Sequence, residues 1–406
     1  MKILALSNSH ALAHVSRQLE IAKALRRRGH DVILGGHGKY LQVAEMDGFP
    51  IRELPYVSIE RVIRTIRSQK LWELYPESEL VGFIEAELML YEEVKPDLVL
   101  LDNRVTGRTS AEKAGLRTVA ALNVHMSNYR RIPFFSPANL PGMANVPGLA
   151  TLDRLENAVE FWVYDRLVMG GLNNIRRKLG LKRLYAYEHE EGDISLLVDL
   201  PQFNPVSHLP EHARFIGPLT WHNNLPEPAC LERLQADKPT VYLSLGSDSL
   251  EELVEQLGGL ASEGIQIVVA TGGARIAEDV SVPDGVFLEN YVNTDKLLPH
   301  CNLVCCHGGN GTLYQALFYG LPTVVVATHQ EQYYGGKRIQ RLGLGRTMTL
   351  KALKREGMGS LVEMVRQTLR SPDYRARAQA FSAHFKGWNS AELAADEIEK
   401  FMKAAQ

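Results

Sequence analysis

Residues 301–335 read CNLVCCHGGNGTLYQALFYGLPTVVVATHQEQYYG, and their pattern decides the fold. LVCCHG (303–308) and PTVVVA (322–327) are short apolar runs with the length and branching of buried strands, and the span between them has the length of a helix. A glycine-rich turn, Gly308-Gly309-Asn310-Gly311, joins the first run to a helix expected to begin near Thr312. Strand, turn, helix and strand in that order form the repeating unit of a parallel sheet covered by helices.

Cys305, Cys306 and His307 also raise the question of a metal. Alternation along a strand sends Cys305 and His307 to one face and Cys306 to the other, and three consecutive residues are poor ligands for one tetrahedral ion. The cysteines read better as small buried hydrophobes. A phosphate cradle is the stronger reading of the turn: glycines admit a ligand close to the backbone, and the unpaired amides at a helix N-terminus favour a diphosphate. No Lys-Ser/Thr follows the glycines, and the spacing is not GxGxxG, so nucleotide hydrolysis and hydride transfer are poorly supported. On these residues alone a purely structural corner stays open.

The same alternation runs through the chain. Strand candidates in the first half are KILALS (2–7), DVILGG (31–36), PIREL (50–54), DLVLLD (97–102), RTVAALN (117–123) and ISLLVD (194–199). The second half offers TVYLSLG (240–246), IQIVVATGG (265–273), VFLENY (286–291), LVCCHG, PTVVVA and RTMTL (346–350). Between the first two runs, Val15, Leu19, Ala22 and Leu25 share one helix face that ends at Gly29 after three arginines, which completes a βαβ unit. FIGPLTWHNNLPEPACLERL (215–234), with three prolines in a polar setting, reads as a linker. The expected layout is an α/β protein of two doubly wound, Rossmann-like domains, 1–220 and 221–385, with a last helix within 386–406 packing back on the first domain. The stretch from 124 to 165 departs most from regular alternation, as functional loops do.

At 406 residues the chain exceeds what one core comfortably supports. A net charge of −2 without a concentrated basic stretch disfavours nucleic-acid binding. Four cysteines, three of them crowded into one strand region, do not make a disulfide framework, and a cytoplasmic location is expected. The opening MKILALSNSH turns polar too early for a signal-peptide core, and no later run has the length of a membrane span.

HGGNGTLYQALFYGLPTVVVATHQEQ resembles the donor-binding signature of family 1 glycosyltransferases, two-domain enzymes of GT-B fold that move sugars from UDP or dTDP onto small acceptors. The likeness extends to VYLSLGS, to NYVNTDKLLPHC, to the GP after FIGP, and to AHVSRQLEIAKALRRRGHDV near the start. It implies two domains facing each other across a cleft, the first binding the acceptor and the second the nucleotide sugar, with inversion at the anomeric carbon and no cofactor or metal. By the resemblance, His307, Gly309, Asn310, Gly311 and Thr312 bind the diphosphate, with Ser247 helping. Tyr291 stacks on the base and Val292 bonds its edge. Gln315 stands where many members carry a glutamate for the ribose, and Glu331 and Gln332 fall where the family reaches sugar hydroxyls.

The base is expected from the first domain. His14 lies at the start of the first helix, at the C-terminal edge of the sheet, where doubly wound folds bind ligands. It matches the family's catalytic histidine, with Ala13 in place of the usual glycine, and Asp102 matches the acid that pairs with it. The residues alone leave His10 and His14 equal and make His125 a third candidate. Aromatic surface for an apolar, natural-product acceptor is available at Trp72, Tyr75, Phe134, Phe135 and Trp162. The implied activity is an inverting hexosyl or deoxyhexosyl transfer to a hydroxyl. A nucleotide-sugar 2-epimerase-like enzyme of the same fold would lack the HGG-x-GT…EQ arrangement. A non-catalytic nucleotide-sugar-binding protein would not need both His14 and Asp102.

Overall fold

The computed structural model describes residues 1–68, 70–136, 148–222, 225–245, 250–272 and 281–404. They form two compact units, Met1–Trp221 with Gly387–Gln406, and His222–Lys386.

The first unit holds a seven-stranded sheet made of β1 (Lys2–Ser7), β2 (Asp31–Gly36), β3 (Ile51–Glu53), β4 (Leu98–Asp102), β5 (Thr118–Leu122), β6 (Ile194–Leu197) and β7 (Ala213–Phe215). Its order is β3-β2-β1-β4-β5-β6-β7, and every pairing is parallel. The second unit repeats the plan with β8 (Thr240–Ser244), β9 (Gln266–Ala270), β10 (Val286–Glu289), β11 (Leu303–Cys306), β12 (Thr323–Ala327) and β13 (Gly345–Thr349), ordered β10-β9-β8-β11-β12-β13 and again parallel. All twelve apolar runs become strands. β7 is added to them; at three residues, ARF, it is too short for alternation to signal it.

A parallel sheet covered on both faces needs apolar residues at successive positions, and the central strands supply them. Along β1, Ile3 and Ala5 pack into one apolar cluster with the first helix, Leu12–Arg27, while Leu4 and Leu6 pack into another on the opposite face. β4 divides the same way: Leu98 and Leu100 join the first cluster, Val99 and Leu101 the second. Each sheet reverses its strand order between two neighbours, β1 and β4 in the first unit and β8 and β11 in the second. Loops leaving the C-terminal ends of such a pair diverge to opposite faces and leave a crevice at the sheet edge.

The last helix, Ser390–Lys403, belongs to the first unit and lies against Leu12–Arg27. Ala394, Ala395 and Ile398 are fully buried in the same cluster as Leu25. Arg28 bonds Glu392 and Asp396, each at 2.6 Å, and His30 bonds Glu399 at 2.9 Å around the rim. Trp388 is seated on Gly217, whose φ of +82° and 2.8 Å clearance to the indole both require glycine. The apolar contact, not the rim of ion pairs, should hold this helix. Ile398→Ala is expected to cost about 2–5 kcal/mol in denaturant unfolding, and Arg28→Ala no more than about 1 kcal/mol per pair lost.

Candidate active site

Ser7, at the C-terminal end of β1, pairs in register with Asp102 at the end of β4. The first helix begins at Leu12, so His14 stands in its first turn, directly over that edge. His14 Nδ1 lies 2.7 Å from Asp102 Oδ1. A carboxylate oxygen only accepts, so the tautomer that makes this contact a hydrogen bond carries its proton on Nδ1 and its lone pair on Nε2. Asp102 is fully buried and His14 keeps a fifth of its side chain exposed, at 18 %.

Arg17, one turn further along the helix, closes on the same carboxylate. Its Nε donates to Asp102 Oδ2 at 2.9 Å and its Nη2 to Oδ1 at 2.6 Å, the two-pronged geometry in which guanidinium and carboxylate fit best. Nη2 also stands 2.9 Å from His14 Nδ1, and Nη1 donates to Asn123 at the end of β5. Asn123 in turn points toward Asp199 beyond β6. Residues from the ends of β4, β5 and β6 thus fix one carboxylate under one imidazole. His10 turns Nδ1 to Asn8, at 3.0 Å from its carbonyl oxygen, and its ring centre is 4.9 Å from that of His14.

A second acid borders this group. Glu190 ends the short helix Ala186–Glu190, accepts from Asn103 Nδ2 at 3.0 Å, and is buried. Burial, and then the charge of Asp102, push its carboxyl up to about 8, against the opposing pull of Arg17 and the Asn103 bond. Next to it, burial pushes His189 down to about 3, and its Nε2 is 2.9 Å from the Tyr164 hydroxyl. Arg17 and Glu190 were missed in the sequence. Arg17 could have been found, because it shares a helix face with His14 three residues before it.

The proposed acceptor residues divide between interior and surface. His125, in the turn Val124–Met126, is buried and meets Phe134 edge-on with ring centres 5.9 Å apart. Tyr75 meets His189 edge-on at 6.3 Å, and burial pushes its phenol well above the usual range. Trp72, Trp162 and Phe135 lie on the surface, each more than half exposed.

In the second unit, β11 delivers the chain to its own switch point, with Cys306 paired to Ser244 on β8 and to Val325 on β12. Cys305 and Cys306 are wholly buried, and burial pushes the Cys306 thiol up to about 12. His307 follows the strand. Burial lowers its pKa below the ordinary value, against the effect of a bond to the Ser244 backbone and the charge of Glu331. Gly308 takes φ +92°, and a Cβ there would stand 2.7 Å from Val325 Cγ1 and 2.9 Å from the Gln332 carbonyl oxygen. Gly309 caps the next helix, which runs Asn310–Phe318 and so begins two residues before the expected Thr312. No side chain caps this N-terminus, which leaves the amides of Asn310, Gly311 and Thr312 without a partner from within the helix. Among the described residues the Asn310 side-chain nitrogen is also buried without a hydrogen-bond partner.

The same helix carries Gln315 to the turn after β10, where its Nε2 donates to Thr294 Oγ1 at 3.0 Å. Tyr291, 63 % exposed, and buried Val292 belong to that turn. Glu331 is exposed in the first turn of the helix Gln330–Arg341. Gln332 folds back on its own corner, accepting from the Thr328 amide and hydroxyl at 2.8 Å each. Ser247 lies outside the described residues.

The family described as "Erythromycin biosynthesis protein CIII-like, C-terminal domain" matches residues 251–398. The "PGL/p-HBAD biosynthesis glycosyltransferase" of Mycobacterium tuberculosis (strain ATCC 25177 / H37Ra) is 28 % identical over 397 residues, spanning 95 % of this chain and 90 % of that protein. Among solved structures, the calicheamicin glycosyltransferase CalG4 superposes with a TM-score of 0.73 at 21 % identity, covering 99 % of this chain and 98 % of that one. Glycosyltransferase VinC, in complex with dTDP, superposes with a TM-score of 0.71 at 19 % identity over the whole of both chains. The two structures show a shared GT-B fold, and with the matches in sequence the chain is a glycosyltransferase, similar over nearly its whole length to the family 1 enzymes of natural-product type.

Proposed function

We propose that this glycosyltransferase moves a hexose or deoxyhexose from a dTDP- or UDP-sugar to a hydroxyl of a small apolar acceptor, with inversion and with His14 as base. The observation that carries this reading is the 2.7 Å approach of His14 Nδ1 to Asp102 Oδ1 at the sheet edge, in which a proton on Nδ1 leaves Nε2 as the acceptor. VinC was solved with dTDP, which favours thymidine diphosphate over uridine diphosphate as the carrier.

In this reading Nε2 takes the proton from the acceptor hydroxyl as its oxygen attacks the anomeric carbon. The bond from that carbon to the diphosphate oxygen breaks in the same displacement, so configuration inverts. The imidazolium formed is stabilised by Asp102, as a buried acid does for a histidine base. Arg17 holds both carboxylate oxygens, so Asp102 cannot rotate away while the proton is on the ring. Glu190, kept neutral by its surroundings, adds no second negative charge to compete for Arg17. Charge growing on the departing diphosphate is met by the amides of residues 309–312, the dipole of their helix and the Asn310 side chain. The Tyr291 ring is free to stack on the base, and Gln315 offers an uncharged partner to the ribose.

Three outcomes are expected. His14→Ala and Asp102→Asn should each lower kcat by about 10²–10⁴-fold while dTDP affinity by calorimetry stays near wild type; wild-type turnover in His14→Ala removes it from the mechanism. Conversely, Gly309→Val, whose Cβ would come within 2.8 Å of His307 Nε2, and His307→Ala should weaken dTDP binding by about tenfold or more; unchanged affinity would sink the diphosphate assignment. Glu190 gives a pH signature. Its folded pKa of about 8 exceeds the ordinary glutamate value of 4.5, so the native state keeps a proton that the unfolded chain releases, and stability falls as pH rises from 4.5 to 8. Glu190→Gln should remove that slope, seen as melting temperatures of variant and wild type that diverge in the variant's favour between those values.

A further inference from the structure

The helix Leu149–Leu167 is amphipathic the wrong way round. Its polar side faces the protein and is engaged there through Asp153, Asn157, Glu160 and Asp165. Asp153 accepts from Ser136 at 2.6 Å, and Asn157 from Arg130 at 2.9 Å. Glu160 takes Arg130 at 2.5 Å and the amides of Phe134 and Phe135 at 3.0 and 2.8 Å, and Asp165 takes Arg183. Its opposite side carries Leu152, Leu155, Val159 and Trp162, at spacings of three, four and three residues, all between 45 % and 64 % exposed. An ordinary surface helix turns that stripe inward.

Two further exposed rings extend the stripe. The turn Leu71–Glu73, which bears Trp72, packs on this helix, and Phe135 is tied to it through Glu160. The exposed charges on the helix itself have one sign, and beside Trp72 the exposed Glu73 is matched by Lys70 at 3.5 Å. Among the described residues of the helix, the only exposed charged ones are Arg154 and Arg166; Glu156 and Glu160 are half-buried, and Asp153 and Asp165 are buried. The Arg166 guanidinium stands over the Trp162 ring at 5.9 Å, and Arg131 is exposed close by, next to Arg130. Leucine and tryptophan on one face of a helix whose exposed charges are arginines is the composition of a helix that lies in a bilayer interface. Arginine margins then draw it to negatively charged headgroups. Among the described residues no helix is long and apolar enough to cross a membrane, so this contact would be peripheral.

We propose that this face docks on the surface of an anionic lipid bilayer, with the helix axis parallel to the membrane plane. Docking of this kind goes beyond the transfer reaction and does not depend on which residue is its base.

The test is sedimentation of the full chain with vesicles of phosphatidylcholine alone or mixed with phosphatidylglycerol. Wild type should pellet with the mixed vesicles and release as salt is raised. Leu155→Glu with Val159→Glu should weaken the partition by about tenfold or more, and Arg154→Glu with Arg166→Glu should abolish the preference for the anionic lipid. These side chains are exposed, so matching circular dichroism would confirm that both variants fold. Failure of wild type to pellet with mixed vesicles overturns the proposal, as does equal pelleting of all three proteins. Wild type that does not bind vesicles but self-associates, and loses self-association in Leu155→Glu with Val159→Glu, would assign the face to a second copy of the chain instead.

Discussion

A parallel sheet buried on both faces has no strand surface left for chemistry. Its polar work is confined to the ends of its strands, and the reversal of strand order opens one place along those ends where loops part. That constraint acts twice in this chain. In the first unit it brings Asp102 from β4 next to the turn that carries His14 after β1. In the second it brings the glycine turn after β11 beside the end of β8. A buried carboxylate at such a point needs a counter-charge, since its desolvation would otherwise penalise the anion. Arg17 provides it from the same helix as His14, so the element that delivers the imidazole also neutralises its partner.

The two strand-end clusters accordingly draw on different kinds of electrostatics. The histidine side uses side chains: one carboxylate, one guanidinium and one imidazole, locked by hydrogen bonds with little freedom to rearrange. The glycine-turn side uses backbone. Its donors are amides that the helix leaves unpaired by geometry, and the glycines matter by what they leave out. At Gly308 the conformation and the 2.7 Å approach of Val325 both demand the absence of a Cβ. Burial of His307 weakens its tendency to be a cation, so the imidazole beside the glycine turn tends to stay neutral.

Much of this was legible in the sequence because its cause is periodic. Strands buried on both faces must be continuous apolar runs, and LVLL and TVVVA can hardly be anything else. The glycine turn was visible for the same reason, as a break between two periods, although its helix starts at Asn310 and not near Thr312, since Gly309 serves as the cap. What was not legible depends on three-dimensional partners. Arg17 sits in a helix rich in charges, and only the position of Asp102 85 residues away distinguishes it from a surface residue. Glu190 lies in a run of acids, YEHEEGD, and its neutrality comes from burial beside Asp102, which spacing does not encode. The β7 strand has too few residues to have a period at all.

The helix Leu149–Leu167 shows where periodicity misleads. Leu152, Leu155, Val159 and Trp162 have the spacing that is ordinarily read as a core-facing stripe, and Trp162 was read as a wall of a pocket. The direction a stripe faces is set by the competing side, and here that side contains the partners Arg130 needs. Arg130 is fully buried, stacked among Phe134, Phe161 and Tyr187 at 4.6–5.0 Å. A buried guanidinium left without acceptors costs more than an apolar stripe left in water, because the stripe loses only its transfer energy while the cation loses its hydration. Glu160 and Asn157 must therefore face inward, and the leucines opposite them are driven out to solvent. The exposed apolar face follows from the burial of one arginine, and a surface that is exposed by such a constraint can be kept as a binding face without weakening the core beneath it.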